Sequence, residues 1–388
     1  MAGQVPVVDV GPAARVAVAD WDAPEPAHAT LSPLADVDYA TLEASAAARA
    51  VADAVGAACR EWGFFYIRGY PIPPALEATL DSVSRDFFHL PQATKDSVAM
   101  WRGGRAWRGY FPVGNELTSG KPDLKEGIYF GTELPADDPR VATEKLPLHG
   151  PNLFPNVPTG GKLKAAVLRY MQHCERVGQL LAALVAMSLG LPATTFRKTL
   201  CAEPLCLFRI FHYPGVALLP PRLRDPAFFG VGEHTDYGLL TVLKQDRVGG
   251  LEVKNLQGKW IPAPPIDGTL VVNIGDMLEA VTRGLYRSTP HRVQNPDPSS
   301  MRLSFPFFFD PGYHAVVKPL PLSPKLATEA AAATAARARA GYKRWDSAGA
   351  SLAFDGTYGS YLVAKIGKVF PDLATDTGLP QPGAAAKL

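Results

Sequence analysis

The sequence predicts a mainly β fold with flanking helices, the β part being a sandwich, barrel or jelly roll. Three observations carry that expectation. After Pro192, short β-branched and aromatic runs alternate with Gly, Pro, Asp and Asn turns, the cadence of an all-β unit. Before that point, apolar residues recur at helical spacing, most clearly between Gly161 and Leu189. The 388 residues suffice for a large core, and no apolar run approaches the roughly 18 residues of a membrane span.

Taken in order, Val5 to Val10 is short and β-branched and reads as an opening strand. Residues 11–38 are rich in Ala, Pro and Asp without a stable period, and a surface loop is expected there. From Asp38 to Trp62 the spacing of Val51, Val55, Ala58 or Cys59, and Trp62 predicts an amphipathic helix. Gly63 stops it, and Phe64-Phe65-Tyr66-Ile67 follows as a strand. A second helix starts near Pro74 and closes after Phe87-Phe88, since Pro91 disfavours helix just before it. Residues 101–131 mix Trp, Tyr, Phe and Gly and should be irregular with short strands.

The longest helix spans Gly161 to Leu189, with Val167, Met171, Cys174, Val177, Leu181, Leu184 and Val185 on one stripe. Strands are then expected at Leu205–Tyr213, Gly238–Lys244, Leu251–Val253, Trp260–Ile261, Thr269–Ile274, His291–Val293 and Arg302–Phe309. Four prolines make 214–231 a long loop, the kind of segment that carries function beside a scaffold. The alanine-rich Ala327–Ala340 is a helix by propensity, another covers Tyr358–Val369, and 376–388 reads as a disordered tail. The expected organisation is one catalytic domain over 1–375. Within it, 5–190 is the amino-terminal helical and strand region, 191–325 the β core, and 326–375 the carboxy-terminal helices.

Lys+Arg 39 against Asp+Glu 37 leaves a formal charge of +2, so electrostatics point to no nucleic acid or other polyanion. Cys59, Cys174, Cys201 and Cys206 lack a C-x-x-C spacing and read as free thiols of a reducing compartment. The amino terminus lacks a basic stretch followed by an apolar one, so no leader is expected and the protein is placed in the cytoplasm. A monomer with no membrane partner is expected.

The chemistry concentrates in Gly232-Glu233-His234-Thr235-Asp236-Tyr237-Gly238. On one strand, His234 and Asp236 would point to the same face. His291, from a second strand, would complete two histidines and a carboxylate, a set that suits a non-haem iron(II) oxygenase. Arg302 follows eleven residues after His291, with Ser304 two further on and on the same strand face. A guanidinium fork plus a hydroxyl suits a carboxylate held by two hydrogen bonds. A small organic acid so held could present its other end to the metal, as 2-oxoglutarate does when it chelates iron.

These residues resemble the isopenicillin N synthase-like family of iron(II)/2-oxoglutarate-dependent dioxygenases. The resemblance extends to Glu61-Trp62-Gly63-Phe64-Phe65, Asp123-Leu124-Lys125-Glu126, His212-Tyr213-Pro214, Val272-Asn273-Ile274-Gly275-Asp276, Ser288-Thr289-Pro290-His291 and Tyr358-Gly359-Ser360-Tyr361-Leu362. It runs from about Val5 to Leu373. It implies a double-stranded β-helix core, with His234, Asp236 and His291 on Fe(II). It also implies Arg302, Ser304 and Tyr213 on 2-oxoglutarate, O2 as oxidant and ascorbate as a candidate reductant. The expected reaction oxidises a C–H bond of a small-molecule substrate, by hydroxylation, desaturation or cyclisation, and releases succinate and CO2. No side chain beyond the metal ligands is needed as a general acid or base. Where relatives often carry asparagine two residues before the tyrosine, this chain has Phe211.

Tyr110, Tyr129, Asn273 and Phe309 are candidates for the substrate pocket, because pockets favour aromatics with a few polar groups. His212 should face away from Tyr213 and not serve as a ligand. Three other readings compete: an iron-dependent oxidase of this fold without 2-oxoglutarate, a non-catalytic small-molecule binder, and a zinc hydrolase. The intact ligand set argues against the binder, and the missing general base argues against the hydrolase.

Overall fold

The computed structural model describes residues 4–19, 34–118, 120–224, 228–294, 301–339 and 356–369. The expected tail over 376–388 lies outside them.

The chain opens with β1 (Val7–Asp9) and then α1 (Gly11–Ala17), where a loop was expected. Pro12 starts this helix, and Ala13, Ala14 and Ala17 are buried. Alanines alone gave no apolar period to read. The helix expected over Asp38–Trp62 is two, α2 (Tyr39–Ala44) and α3 (Ala46–Glu61). Ser45 divides them: its hydroxyl accepts the Ala48 N–H at 3.2 Å, the role of an N-cap. Gly63, at φ 65°, turns the chain into β2 (Phe64–Arg68). α4 (Pro74–Phe88) ends ahead of Pro91, followed by the short α5 (Gln92–Asp96). The aromatic-glycine stretch is irregular as read: a 3-10 segment, then β3 (Gly109–Phe111), β4 (Leu117–Thr118), β5 (Lys121–Pro122) and β6 (Glu126–Gly131).

After α6 (Pro139–Ala142) comes α7 (Pro158–Ser188), 31 residues or about 46 Å long. Its predicted stripe is buried against α3, α4 and the back of the larger sheet. Each fully buried Leu or Val on that stripe contributes about 2 kcal/mol of apolar transfer. The helix therefore acts as the spine on which the sheet is laid. All four cysteines are buried and free.

α8 (Thr195–Lys198) leads into the strands that carry the site: β7 (Leu205–Tyr213), β8 (Val231–His234), β9 (Leu240–Gln245), β10 (Leu251–Lys254), β11 (Trp260–Pro262) and β12 (Leu270–Ile274). A short helix not expected from the sequence, α9 (Asp276–Val281), precedes β13 (His291–Val293) and β14 (Arg302–Asp310). α10 (Pro324–Arg339) and α11 (Tyr358–Val369) close the described chain.

The strands pair as an eight-stranded sheet, β1-β2-β12-β9-β14-β7-β6-β3, and a four-stranded one, β11-β10-β13-β8. β1 with β2 is the one parallel pair of these two sheets among the described residues. This is the jelly roll with flanking helices. Its cavity is lined from both sheets, which puts the site inside the roll.

Candidate metal centre and its cavity

β8 and β13 are antiparallel neighbours, and their register sets His234 directly opposite His291. The two rings lie 4.1 Å apart, centroid to centroid. β8 stops at His234, so Asp236 is not on the strand as expected but in the turn beyond it. What holds the turn is α9: Asp276 N–H donates to the Asp236 carbonyl at 2.8 Å, and Met277 N–H to that of Gly238 at 3.0 Å. The close packing depends on Gly238, where a Cβ would fall 1.4 Å from Oδ1 of Asp310.

Three ligand atoms, one from each of His234, Asp236 and His291, lie within 4.8 Å of one another. Nδ1 of His234 donates to the Gly232 carbonyl at 2.8 Å, and Nδ1 of His291 to that of Thr289 at 3.1 Å. Each Nε2 then keeps its lone pair, a tautomer fixed by backbone carbonyls. The two Nε2 atoms stand 3.8 and 3.7 Å from the same oxygen, Oδ1 of Asp236. The other oxygen, Oδ2, accepts from Thr241 Oγ1 at 2.5 Å and Asn273 Nδ2 at 2.6 Å. Two neutral imidazoles and one oriented carboxylate are the donor chemistry of a divalent iron site with open positions.

Electrostatics agree. Burial and the neighbouring His234 push the His291 pKa down to about 4, and burial lowers that of His234. For Asp236, burial opposes the charge, but the two histidines and the hydrogen bonds from Thr241 and Asn273 hold the pKa below its ordinary value. The site is thus an anion facing two uncharged donors.

The cavity holds about 1150 Å³ with its open mouth included. Strand alternation decides who lines it. On β14 the even positions Arg302, Ser304, Pro306, Phe308 and Asp310 face in, and on β7 the odd positions Leu207, Arg209, Phe211 and Tyr213 do. Arg302 and Tyr213 are cross-strand partners. The guanidinium carbon lies 4.7 Å from the Tyr213 ring centre, and Ser304 Oγ is 3.4 Å from the tyrosine hydroxyl. Arg302 is fully buried; among the described residues Nε and Nη1 have no hydrogen-bond partner, and Nη2 reaches Gln245 Oε1 at 3.4 Å. A buried charged donor left unmade is costly, about 1–3 kcal/mol or more. These atoms fit the distal carboxylate of a dicarboxylic acid that enters the same cavity as the three ligands.

Three of the residues expected in the substrate pocket are not on its wall. Phe309 has the wrong parity on β14 and packs against Gly178 of α7. Tyr110 lies on the edge strand β3 and donates to Glu126 at 2.6 Å. Tyr129 sits one layer back, giving its hydroxyl to Glu116 at 2.8 Å. Asn273 does line the cavity, but its amide is on Asp236. His212 faces away as expected and meets Glu126 at 2.7 Å.

Sequence reasoning missed the buried charges of the wall. Lys125 bridges Asp123 and Glu116, at 2.8 Å from the latter, and Arg209 stands 3.8 Å from Glu116. Burial raises the Asp123 pKa to about 6, while Lys125 and Arg209 overcome burial to hold Glu116 low. Also missed were Leu362 and Ile366 of α11, which close one side. α11 is tied down by Tyr358 to Asp310 and by Tyr361 to Asp276, the latter at 2.9 Å. The in-facing parity of β7, set by Tyr213, was the one available signal for Arg209.

Comparison with known proteins agrees with this geometry. Residues 33–157 match the family model for the non-haem dioxygenase in morphine synthesis N-terminal region, and residues 204–311 that of the 2OG-Fe(II) oxygenase superfamily. A Dictyostelium discoideum relative described as a probable iron/ascorbate oxidoreductase is 44% identical over 330 residues, covering 81% of this chain and 88% of its own. A 1-aminocyclopropane-1-carboxylate oxidase of Dictyostelium mucoroides is 35% identical over 350 residues, covering 83% and 90%. Among solved structures, a full-length Neurospora crassa protein in complex with alpha-KG and thymine superposes with a TM-score of 0.66 at 25% identity, covering 94% of this chain and 96% of that one.

Proposed function

This chain belongs to the 2OG-Fe(II) oxygenase superfamily, and from that premise we propose which residues hold each component and where the substrate lies. The protein is an iron(II)- and 2-oxoglutarate-dependent oxygenase. In our reading His234, Asp236 and His291 hold the iron through Nε2, Oδ1 and Nε2. Arg302, Ser304 and Tyr213 hold the distal carboxylate of 2-oxoglutarate. The observation that carries this reading is the buried, under-bonded Arg302 guanidinium facing the same cavity as the three ligand atoms.

Bound iron and 2-oxoglutarate supply oxidative decarboxylation to succinate and CO2, coupled to oxidation of a substrate C–H bond. The side chains do the rest by binding and orientation. Thr241 and Asn273 fix the carboxylate so that one oxygen faces the metal position. Arg302 sets the depth and tilt of the co-substrate by a two-point grip. Phe211, Phe308, Leu362 and Ile366 make the apolar part of the wall and exclude water from the reacting centre. A small organic molecule occupies the remaining space. We read the chain as a single catalytic domain over 1–375. The buried free thiols suit the reducing cytoplasm, and no described helix is long and apolar enough to cross a membrane.

The test is spectroscopic and then catalytic. Anaerobic protein with iron(II) should develop a metal-to-ligand charge-transfer band when 2-oxoglutarate is added, and succinate should form when oxygen is admitted. Iron bound without either signal would overturn the assignment of Arg302, Ser304 and Tyr213.

A further inference from the structure

We propose that Arg209 is a substrate-anchoring residue and that the substrate carries a carboxylate. The inference rests on the oxygenase reading above and names the substrate class of that site.

Arg209 faces the cavity from β7, on the same side as Tyr213. Its guanidinium is stacked between two rings, 4.1 Å from the centre of Tyr129 and 4.8 Å from that of Phe308. Stacking fixes the plane of the fork before any ligand arrives. Yet its nearest acid among the described residues, Glu116, is 3.8 Å away, beyond hydrogen-bond distance. Glu116 is itself served by the Tyr129 hydroxyl at 2.8 Å and by Lys125 at 2.8 Å. The charge of Arg209 is partly balanced, while among the described residues its donors make no hydrogen bond.

Arg302 does not share this task. Arg302 pairs with Tyr213, four residues along β7 from Arg209, which separates the two backbones by about 13 Å. The Arg302 fork lies at the Tyr213 ring and the Arg209 fork between the Tyr129 and Phe308 rings, so the two are held against different parts of the wall. Both forks line one cavity, and in this reading the co-substrate takes Arg302 and the substrate takes Arg209. A fixed planar fork matches a carboxylate by two parallel hydrogen bonds. A primary amide offers half of that match, and an amine offers repulsion. Because the fork is already ordered, little rotamer freedom is lost on binding.

The experiment uses the anaerobic iron(II)/2-oxoglutarate holoenzyme at saturating 2-oxoglutarate. The probes are straight-chain carboxylates from butanoate to octanoate, their primary amides and the matching 1-aminoalkanes, titrated by calorimetry. Carboxylates should bind about tenfold or more tightly than amides or amines of equal length. Arg209→Gln should erase that preference while changing the 2-oxoglutarate requirement less than about twofold, and Arg209→Lys should restore part of it. Equal binding of acids and amides, no binding of any acid, or an unaltered preference in Arg209→Gln overturns the proposal. If Arg209→Gln does not fold, Glu116→Gln decides. Removing the nearest described carboxylate should tighten acid binding about threefold, and no tightening overturns the proposal. The charge-transfer band separates the two levels. Its absence counts against the oxygenase reading, and its presence with no acid preference counts against Arg209 alone.

Discussion

The side-chain amide of Asn273 donates to Oδ2 of Asp236 at 2.6 Å, and with Thr241 on the same oxygen this leaves Oδ1 facing both histidine Nε2 atoms. A residue of β12, 37 positions away in sequence, thus sets the angle of a ligand in the turn after β8.

Asn273→Ala should weaken iron(II) binding about 10- to 100-fold, the usual loss when an outer hydrogen bond to a ligand is removed. Thr241→Val should do the same to a smaller extent, since Asn273 remains. Direct titration of metal-free protein with iron(II) or cobalt(II) measures both. Unchanged affinity in the double variant would mean that Asp236 is oriented by the turn alone.

Arg302→Gln should raise the 2-oxoglutarate concentration needed for half-maximal succinate formation by about 30-fold or more, the cost of losing a charge-assisted pair in a buried site. Iron affinity should stay within about twofold. Arg302→Lys should recover only part, because an ammonium cannot reproduce the fork. A variant that lost iron and kept its co-substrate dependence would contradict the role given to Arg302.

Gly238→Ala should destabilise the protein by about 3 kcal/mol, because the added methyl meets the Asp310 carboxylate and the site turn must shift. Gly161→Ala, exposed in the first turns of α7 with open space around its Cβ, should instead stabilise by about 0.5–1 kcal/mol. Urea unfolding of the two variants beside the parent checks the pair. Opposite signs are the expected outcome.

Stability should fall as pH rises through the range set by Asp310. Burial, then the charge of Asp236, raises its pKa to about 7 against an ordinary 3.8. Between those values the folded protein keeps a proton that the unfolded chain releases. The stabilisation is therefore whole below about pH 4 and gone above about pH 7, a difference of up to about 4 kcal/mol. Asp310→Asn should flatten this slope, leaving the variant relatively more stable at pH 8 than at pH 5. Urea midpoints of metal-free protein across pH give the answer; parallel profiles for parent and variant would refute it.

The ligand triad was legible because His234, Asp236 and His291 declare themselves by residue type. Arg302 and Ser304 were legible because one strand carries both. The wall was harder. Phe309 was named where Phe308 belongs, although the parity of Arg302 and Ser304 already separates the two. Tyr110 and Tyr129 are aromatic neighbours of the cavity in sequence flavour only; their hydroxyls serve Glu126 and Glu116. Arg209 was hidden because an arginine in a strand is ordinarily solvated, and only the placement of β6 beside β7 puts Tyr129 under it. In the helical half, α1 and the break at Ser45 escaped because alanine-rich segments carry little apolar contrast.

α11 is the last described element, and the residues assigned to metal and co-substrate are complete by Ser304. Tyr358 and Tyr361 nonetheless bolt this late helix to Asp310 and Asp276, so that Leu362 and Ile366 finish the wall. One side of the substrate wall is thus supplied by a stretch of chain remote in sequence from the metal and co-substrate residues. Substitutions at Leu362 and Ile366 can reshape that side of the cavity without replacing any residue assigned to metal or co-substrate.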